Sequence, residues 1–256
     1  MEIEKNTLYV VTTPIGNLAD MTPRAIEVLG KVDFVAAEDT RVGGSLLAHF
    51  DIHKPLVSYY EHNKRERGEI ITARILAGES CALITDAGTP AVSDPGEDLA
   101  ALCVEKGIKV SPIPGVSALI TALSASGMPS GRFCFEGFLS VNKKSRREHL
   151  ASLKDEMRTM IFYEAPHKLT TTLDDLYAAF GDRKLVMARE LTKLHEEFIH
   201  TTLAGAVELY KETSPRGEYV LILAGKEKEE TETLSRNERY KLKLEEKRRA
   251  LENEDE

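Results

Sequence analysis

Short runs of consecutive apolar residues recur through the first half of the chain, each followed by a stretch whose apolar positions are spaced three and four apart. LYVV at 8–11 predicts a buried strand. The segment 22–29 behind it predicts a helix, with Thr22 as N-cap and Pro23 in the first turn, where a missing amide N–H leaves nothing unpaired. Residues 32–37 predict a second strand, 44–50 a short helix and 56–59 a third strand. A longer helix is predicted over 64–77, where Ile70, Ile71, Ala73, Ile75 and Leu76 fall at helical spacing. CALIT at 81–85 is a wholly apolar fourth strand, followed by a helix over 95–106 and a fifth strand over 109–113. Strands that are apolar on both faces and alternate with helices predict a mostly parallel sheet covered on both sides.

The pattern then starts again. Residues 116–126, VSALITALSAS, are rich in small side chains and predict a tightly packed helix stopped by Gly127 and Pro129. After it come a strand at 132–138, a helix at 149–157, a strand at 160–163 and a helix at 167–180. Strands at 185–189 and 198–202, a helix at 203–212 and a last strand at 218–224 complete the series. The expected architecture is therefore α/β in two domains, residues 1–117 and 118–225, with the boundary near 115–131. From 226 to 256 the chain is dense in mixed charge, with few sizeable apolar groups, Tyr240, Leu242, Leu244 and Leu251 among them. A charged tail, helical or disordered, is expected there.

Composition narrows the possibilities. The 256 residues amount to one large or two modest domains. Thirty-four basic against 42 acidic residues give a net charge of −8, which excludes a generally sticky cation. Any contact with nucleic acid must then come from a local patch. Asn142, Lys143, Lys144, Ser145, Arg146 and Arg147 form the sharpest one, and Lys64, Arg65 and Arg67 a second. Cys81, Cys103 and Cys134 form no C-x-x-C pair, and there is no H-E-x-x-H, so neither a disulfide framework nor a metal site is expected. The first residues carry no charged-then-apolar leader, and no apolar run approaches the roughly 18 residues of a membrane span. A cytoplasmic protein without membrane contact is expected.

In an open parallel sheet, ligands bind beyond the carboxyl ends of the strands. Here those ends lead into Thr13-Pro14-Ile15-Gly16-Asn17, Glu38-Asp39-Thr40-Arg41, Asp86-Ala87-Gly88-Thr89-Pro90 with Ser93-Asp94-Pro95-Gly96, and Pro112-Ile113-Pro114-Gly115-Val116-Ser117-Ala118. Glycine lets backbone approach a ligand closely, proline fixes loop shape, and such loops offer N–H and C=O groups to a polar small molecule. No G-x-G-x-x-G or G-x-x-x-x-G-K-[ST] is present, which speaks against a Rossmann dinucleotide site and a P-loop. Ser93, Ser117, Asp86 and His167 leave a Ser-His-Asp hydrolase formally open, with no G-x-S-x-G turn to support it.

Seven motifs occur in order: TPIGNL at 13–18, AEDTR at 37–41, DAGTPAVSDPG at 86–96, PIPGVSA at 112–118, FYEAPHK at 162–168, RELTKLHEE at 189–197 and GEYVLIL at 217–223. Together they resemble the tetrapyrrole-methylase superfamily over roughly residues 7–225, and within it the bacterial branch that methylates a cytidine 2′-oxygen of 16S ribosomal RNA. The resemblance implies two α/β domains of the tetrapyrrole-methylase type, with S-adenosyl-L-methionine held bent in the interdomain cleft, and a homodimer acting on the small ribosomal subunit. It implies cofactor contacts at Pro14, Gly16, Asp86, Ala87, Gly88, Thr89, Pro114, Ser117, Ala118, Tyr163 and Glu164. The first loop is less glycine-rich than in porphyrin-methylating relatives, which favours the RNA branch. RNA contacts are expected at Lys143, Lys144, Arg146, Arg147 and Lys168, the last standing where the family motif usually has arginine.

Methyl transfer to a ribose hydroxyl requires alignment of oxygen, carbon and sulfur, and loss of a proton from a weakly acidic group. Glu38 or Asp39 is expected to accept that proton and Arg41 to orient the phosphate or ribose; a purely structural Asp39–Arg41 pair fits the spacing equally well. Two other readings share these residues: a corrin or porphyrin methyltransferase, and a non-catalytic ribosome-assembly factor that binds S-adenosylmethionine.

Overall fold

A computed structural model describes residues 2–227, so the charged segment expected at 226–256 lies almost entirely outside the described residues. The first half forms strands β1 (Thr7–Val11), β2 (Phe34–Ala37), β3 (Leu56–Ser58), β4 (Cys81–Ile84) and β5 (Lys109–Ile113), joined by helices α1 (Pro23–Lys31), α2 (Thr40–His49), α3 (Lys64–Leu76) and α4 (Gly96–Glu105). All five strands are parallel, in the order β3-β2-β4-β1-β5.

Alternation along each strand divides the core in two. Tyr9, Val11, Val35, Ala37, Ala82 and Ile84 pack against Val28 and Leu29 of α1 and Leu47 of α2. Leu8, Phe34, Ala36, Cys81 and Leu83 point the other way, against Ile71 and Ile75 of α3 and Leu99 and Cys103 of α4. The connections leaving β1 and β2 thus cross one face and those leaving β3 and β4 the other. The chain leaving β4 diverges from both of its neighbours, and this opens a crevice at the carboxyl end of that strand.

The second half forms α5 (Ala118–Ala125), β6 (Phe133–Phe138), α6 (Lys143–Ser152), β7 (Thr159–Glu164), α7 (Pro166–Phe180), β8 (Lys184–Arg189), β9 (Glu197–Thr202), α8 (Leu203–Glu212) and β10 (Tyr219–Leu223). Its sheet runs β6-β7-β10-β8-β9, and only β6 and β7 are parallel. Helices α6, α7 and α8 cover one face through Leu150, Leu169, Leu173, Leu176 and Leu203. On the other face Ile161, Val186, Ala188, Val220 and Ile222 meet α5 and reach Ile15, from the loop after β1.

Helix starts follow their caps. Thr22 accepts the Ala25 N–H at 3.1 Å and opens α1 as the sequence predicts. Two other starts differ from expectation. Helix α2 begins at Thr40, four residues early, because the Asp39 carboxylate accepts the Arg41 N–H at 2.8 Å. Helix α6 begins at Lys143 rather than 149, because the Asn142 side chain accepts the N–H groups of Lys144 and Ser145 at 3.0 and 3.1 Å. The basic cluster is therefore a helical turn and not a loop.

Candidate active site

Three rim loops of the first sheet are stitched together. The Thr13 and Gly88 backbones exchange hydrogen bonds at 2.9 and 3.2 Å, joining the loops after β1 and β4. The Thr12 hydroxyl donates to that of Thr89, and Thr89 donates to the Val116 carbonyl, each at 3.4 Å, which draws in the loop after β5. Gly88 carries φ +89°, and a Cβ there would lie 3.2 Å from Ile15 Cγ2. Only glycine meets both conditions without strain.

These loops form one wall of a cavity of about 450 Å³, and the second sheet supplies the other. From the first half come Ile15, Glu38, the run from Thr85 to Thr89 and Val92, Ser93 and Asp94. Ser117 and Ala118 line it at the start of α5, while Phe138, Tyr163, Glu164, Leu191 and Tyr219 face it from beyond. Tyr163 is anchored by accepting the Leu119 N–H at 3.0 Å, so the first turn of α5 and the end of β7 are held as one piece.

Of the residues expected to touch a cofactor, Asp86, Ala87, Gly88, Thr89, Ser117, Ala118, Tyr163 and Glu164 line this cavity, and so does Glu38. Pro14, Gly16 and Pro114 do not: Pro14 is buried behind the rim and Pro114 is exposed. Gly16 packs on Lys193, where a Cβ would come within 2.5 Å of Lys193 Cγ. Sequence reasoning did not single out Ile15, Val92, Leu191 or the residues from Glu218 to Val220, although they lie within the quoted motifs, nor Phe138, which lies outside them.

The three carboxylates at the rim differ in character. Glu38 accepts the Thr85 hydroxyl proton at 2.6 Å. Asp86 accepts the Asp39 N–H at 3.1 Å, and its carboxyl is pushed above the ordinary range by burial and by the neighbouring Glu38 and Asp39 charges. Asp39 lies outside the cavity lining. The Arg41 guanidinium and then the Arg41 amide hold its carboxyl down at about 2. Arg41 is 89% exposed and grips Asp39, its one side-chain partner among the described residues, so this pair fixes the start of α2. A carboxylate so strongly held is a poor proton acceptor. Across the cavity, buried Glu164 accepts from Thr172 and from the Ala165 N–H.

The expected RNA-contacting residues also separate. Lys143, Lys144 and Arg147 are exposed on α6, and Lys168 is half-buried at the start of α7. Arg146 turns inward: 12% exposed, it bonds Asp175 at 2.7 Å and the Ser140 carbonyl at 3.0 Å. In the second cluster Lys64 is taken up by Asp98 and Glu61. Among the described residues no three His, Cys, Asp or Glu side chains gather as a metal site, and no helix is long and apolar enough to cross a membrane.

A parallel sheet joined to a largely antiparallel one is the fold of a known family. The tetrapyrrole (corrin/porphyrin) methylase family model matches residues 7–207, and the chain belongs to that family. Its named relatives are more specific. Ribosomal RNA small subunit methyltransferase I of Synechocystis is 52% identical over 229 residues, covering 89% of this chain and 82% of the relative. The Escherichia coli O157:H7 protein of the same name is 48% identical over 226 residues, covering 87% and 79%. Solved structures share the fold at lower identity. Cobalt precorrin-4 methyltransferase, a cobalamin biosynthetic enzyme, aligns with TM-score 0.63 at 16% identity over 86% of this chain and 95% of that one. Uroporphyrin-III C-methyltransferase of Thermus thermophilus, complexed with S-adenyl homocysteine, aligns with TM-score 0.59 at 18% identity over 84% and 96%.

Proposed function

We propose that the protein transfers a methyl group from S-adenosylmethionine to the 2′-oxygen of a cytidine in 16S ribosomal RNA. The observation that carries this reading is the identity of about half the residues, over most of the chain, to proteins named ribosomal RNA small subunit methyltransferase I.

The cavity suits the cofactor chemically. Ile15, Val92, Leu191 and Val220 offer apolar surface for an adenine, and Glu38, Asp86 and Glu164 offer acceptors for ribose hydroxyls and negative charge for a sulfonium. A side chain at Gly88 would press on Ile15 at the cavity wall. The run from Asp86 to Thr89, with Ser117, Ala118, Tyr163 and Glu164, would hold the cofactor, while Pro14, Gly16 and Pro114 shape the loops behind. When bound, S-adenosylmethionine supplies a methyl group on a positively charged sulfur, a leaving group that needs no acid.

The protein's own residues orient the hydroxyl and take its proton. Asp86, backed by Glu38, is assigned that proton, since its carboxyl is raised and faces the cavity. Arg41 and Asp39 act through the position of α2. Lys143, Lys144, Arg147 and Lys168 hold RNA phosphates, the lysines as point charges. We further propose a cytoplasmic homodimer. The α5 side of the second sheet leaves Ile120 51% exposed and Phe133 and Phe198 only partly covered, an apolar area suited to a second copy.

The deciding experiment is transfer of labelled methyl from S-adenosylmethionine to small subunits from cells lacking the activity, with mapping of the labelled sugar. Label on a cytidine 2′-oxygen is expected; no label in ribosomal RNA would overturn the reading. The basic patch has its own test. Replacing Lys143, Lys144 and Arg147 by Gln is expected to flatten the salt dependence of RNA binding by about 0.7–0.9 in slope for each phosphate that is no longer neutralised. Arg146→Ala is expected instead to leave that slope unchanged and to lower thermal stability by about 1–3 kcal/mol, since Asp175 and the Ser140 carbonyl are deprived of their donor.

A further inference from the structure

We propose that Phe138 is the platform on which the base of the target nucleotide stacks while its ribose enters the cavity; this rests on the RNA-methylating reading above. Strand β6 pairs Phe135 with Ile161, but the next pair is Gly137 with Phe162, so Glu136 is an extra residue bulged out of register. In a regular ladder, side chains alternate, and Phe138 would fall on the helix-covered face with Phe162. The inserted residue shifts that alternation. Phe138 pairs instead with Tyr163, on the same side as Phe135, and faces the cavity. Bulges recur beside active sites because they re-aim a side chain in this way. The turn also needs its glycine: Gly137 has φ +62°, and a Cβ there would lie 3.1 Å from Ser93 Oγ of the first half.

The redirected ring is not absorbed into a core. Phe138 remains 54% exposed, although it belongs to the cavity lining. Tyr163 holds it edge-on, with centroids 5.5 Å apart, and Tyr163 is itself fixed by Phe135 at 4.9 Å and by the Leu119 N–H. The result is a rigid aromatic surface, pre-set in orientation and open to solvent. Its surroundings select the occupant. Five residues further on begin Lys143 and Lys144, with Arg147 in the next turn, exposed cations that closely follow the ring along the chain. Aromatic rings interleaved with basic groups are how proteins hold unpaired nucleotides, the ring taking the base and the cations the phosphates. No aromatic residue lies within the cation cluster itself, and of the rings that line the cavity Phe138 is the exposed one, Tyr163 being half-buried and Tyr219 buried.

The test is steady-state methyl transfer to small ribosomal subunits by Phe138→Ala, Phe138→Leu and Phe138→Trp, with S-adenosylmethionine affinity measured separately by calorimetry. Removal of one base–aromatic stack is expected to lower kcat/KM for the subunit about ten- to hundredfold in the Ala and Leu variants. Cofactor affinity should be unchanged, and the Trp variant should stay close to wild type. Leu, which keeps apolar packing against Tyr163 but has no flat face, guards against a simple loss of fold. Wild-type kinetics in the Leu variant, a Trp variant as slow as Ala, or cofactor affinity falling in parallel with activity would each overturn the proposal. The wild-type arm reads the underlying function on its own: a wild-type protein that labels no ribosomal RNA would remove the methylation reading and this inference with it.

Discussion

Asp86→Asn is expected to lower the rate of methyl transfer at saturating cofactor and RNA about 10²–10⁴-fold, the usual contribution of a positioned general base. Asparagine is nearly the same size and can still accept the Asp39 N–H, so the rim loop keeps its shape and the missing proton acceptor is what the rate reports. The pH dependence gives a second signature. A base works only when deprotonated, so the rate should fall as pH drops through the Asp86 pKa. That pKa is raised by burial and neighbouring carboxylates, so the acid limb should lie above the usual carboxylate value of about 4. In Asp86→Asn this limb should vanish. Asp39→Asn should behave in the opposite manner, turning over near the wild-type rate with its acid limb intact, because Asp39 is held at about 2 and Asn is itself a good N-cap for α2. Kinetics of the two variants from roughly pH 5 to 9 separate the roles, and equal losses in both would remove Asp86 from the chemistry.

Phe162→Ala should have the largest effect on stability, about 3–5 kcal/mol. Phe162 is fully buried in β7, paired with Gly137 of β6 and Leu221 of β10. It belongs to the cluster built with Leu169 and Leu173 of α7. Truncation leaves a cavity that a sheet held on both sides cannot close. For a chain of this size the melting temperature should fall by roughly 6–20 °C, followed by circular dichroism. Phe162→Leu, nearer in volume, should cost no more than about 1.5 kcal/mol. Because Tyr163 and Glu164 continue the same strand into the cavity, cofactor binding by Phe162→Ala should fail at a lower temperature than in the wild type.

The first sheet is legible in the sequence because its inner strands β1, β2 and β4 are buried on both faces and read as short unbroken apolar runs, while Thr22 and Pro23 announce α1. The start of α2 is obscured by Gly43 and Gly44, residues of poor helix propensity that here allow close packing: a Cβ on Gly43 would stand 3.0 Å from that of Ala37. The start of α6 is hidden by five polar residues that look like a solvated loop, although Asn142 is a visible cap. The antiparallel pairing of the second sheet leaves no trace, since β8 and β9 are joined by a seven-residue loop without an Asn-Gly or Asp-Gly turn. The motif residues of the candidate site gather as polar loop ends, but its far wall comes from strand residues such as Ala188 and Val220, whose apolar character marks any core. Which basic residue turns inward is equally invisible: Arg146 and Arg147 read alike until the position of Asp175 on α7 is known.

The place of β1 between β4 and β5 has a consequence for synthesis. Leu8 cannot find its partner until Cys81 has been made, nor Thr7 until Lys109. At about 5–20 residues per second, the nascent chain carries this apolar strand without a neighbour for about 4–15 seconds and without its second for about 5–20 seconds. The first strand of this sheet to be made is thus among the last to be enclosed, and a polypeptide released early, before Lys109, has a central strand with one side bare and open to aggregation.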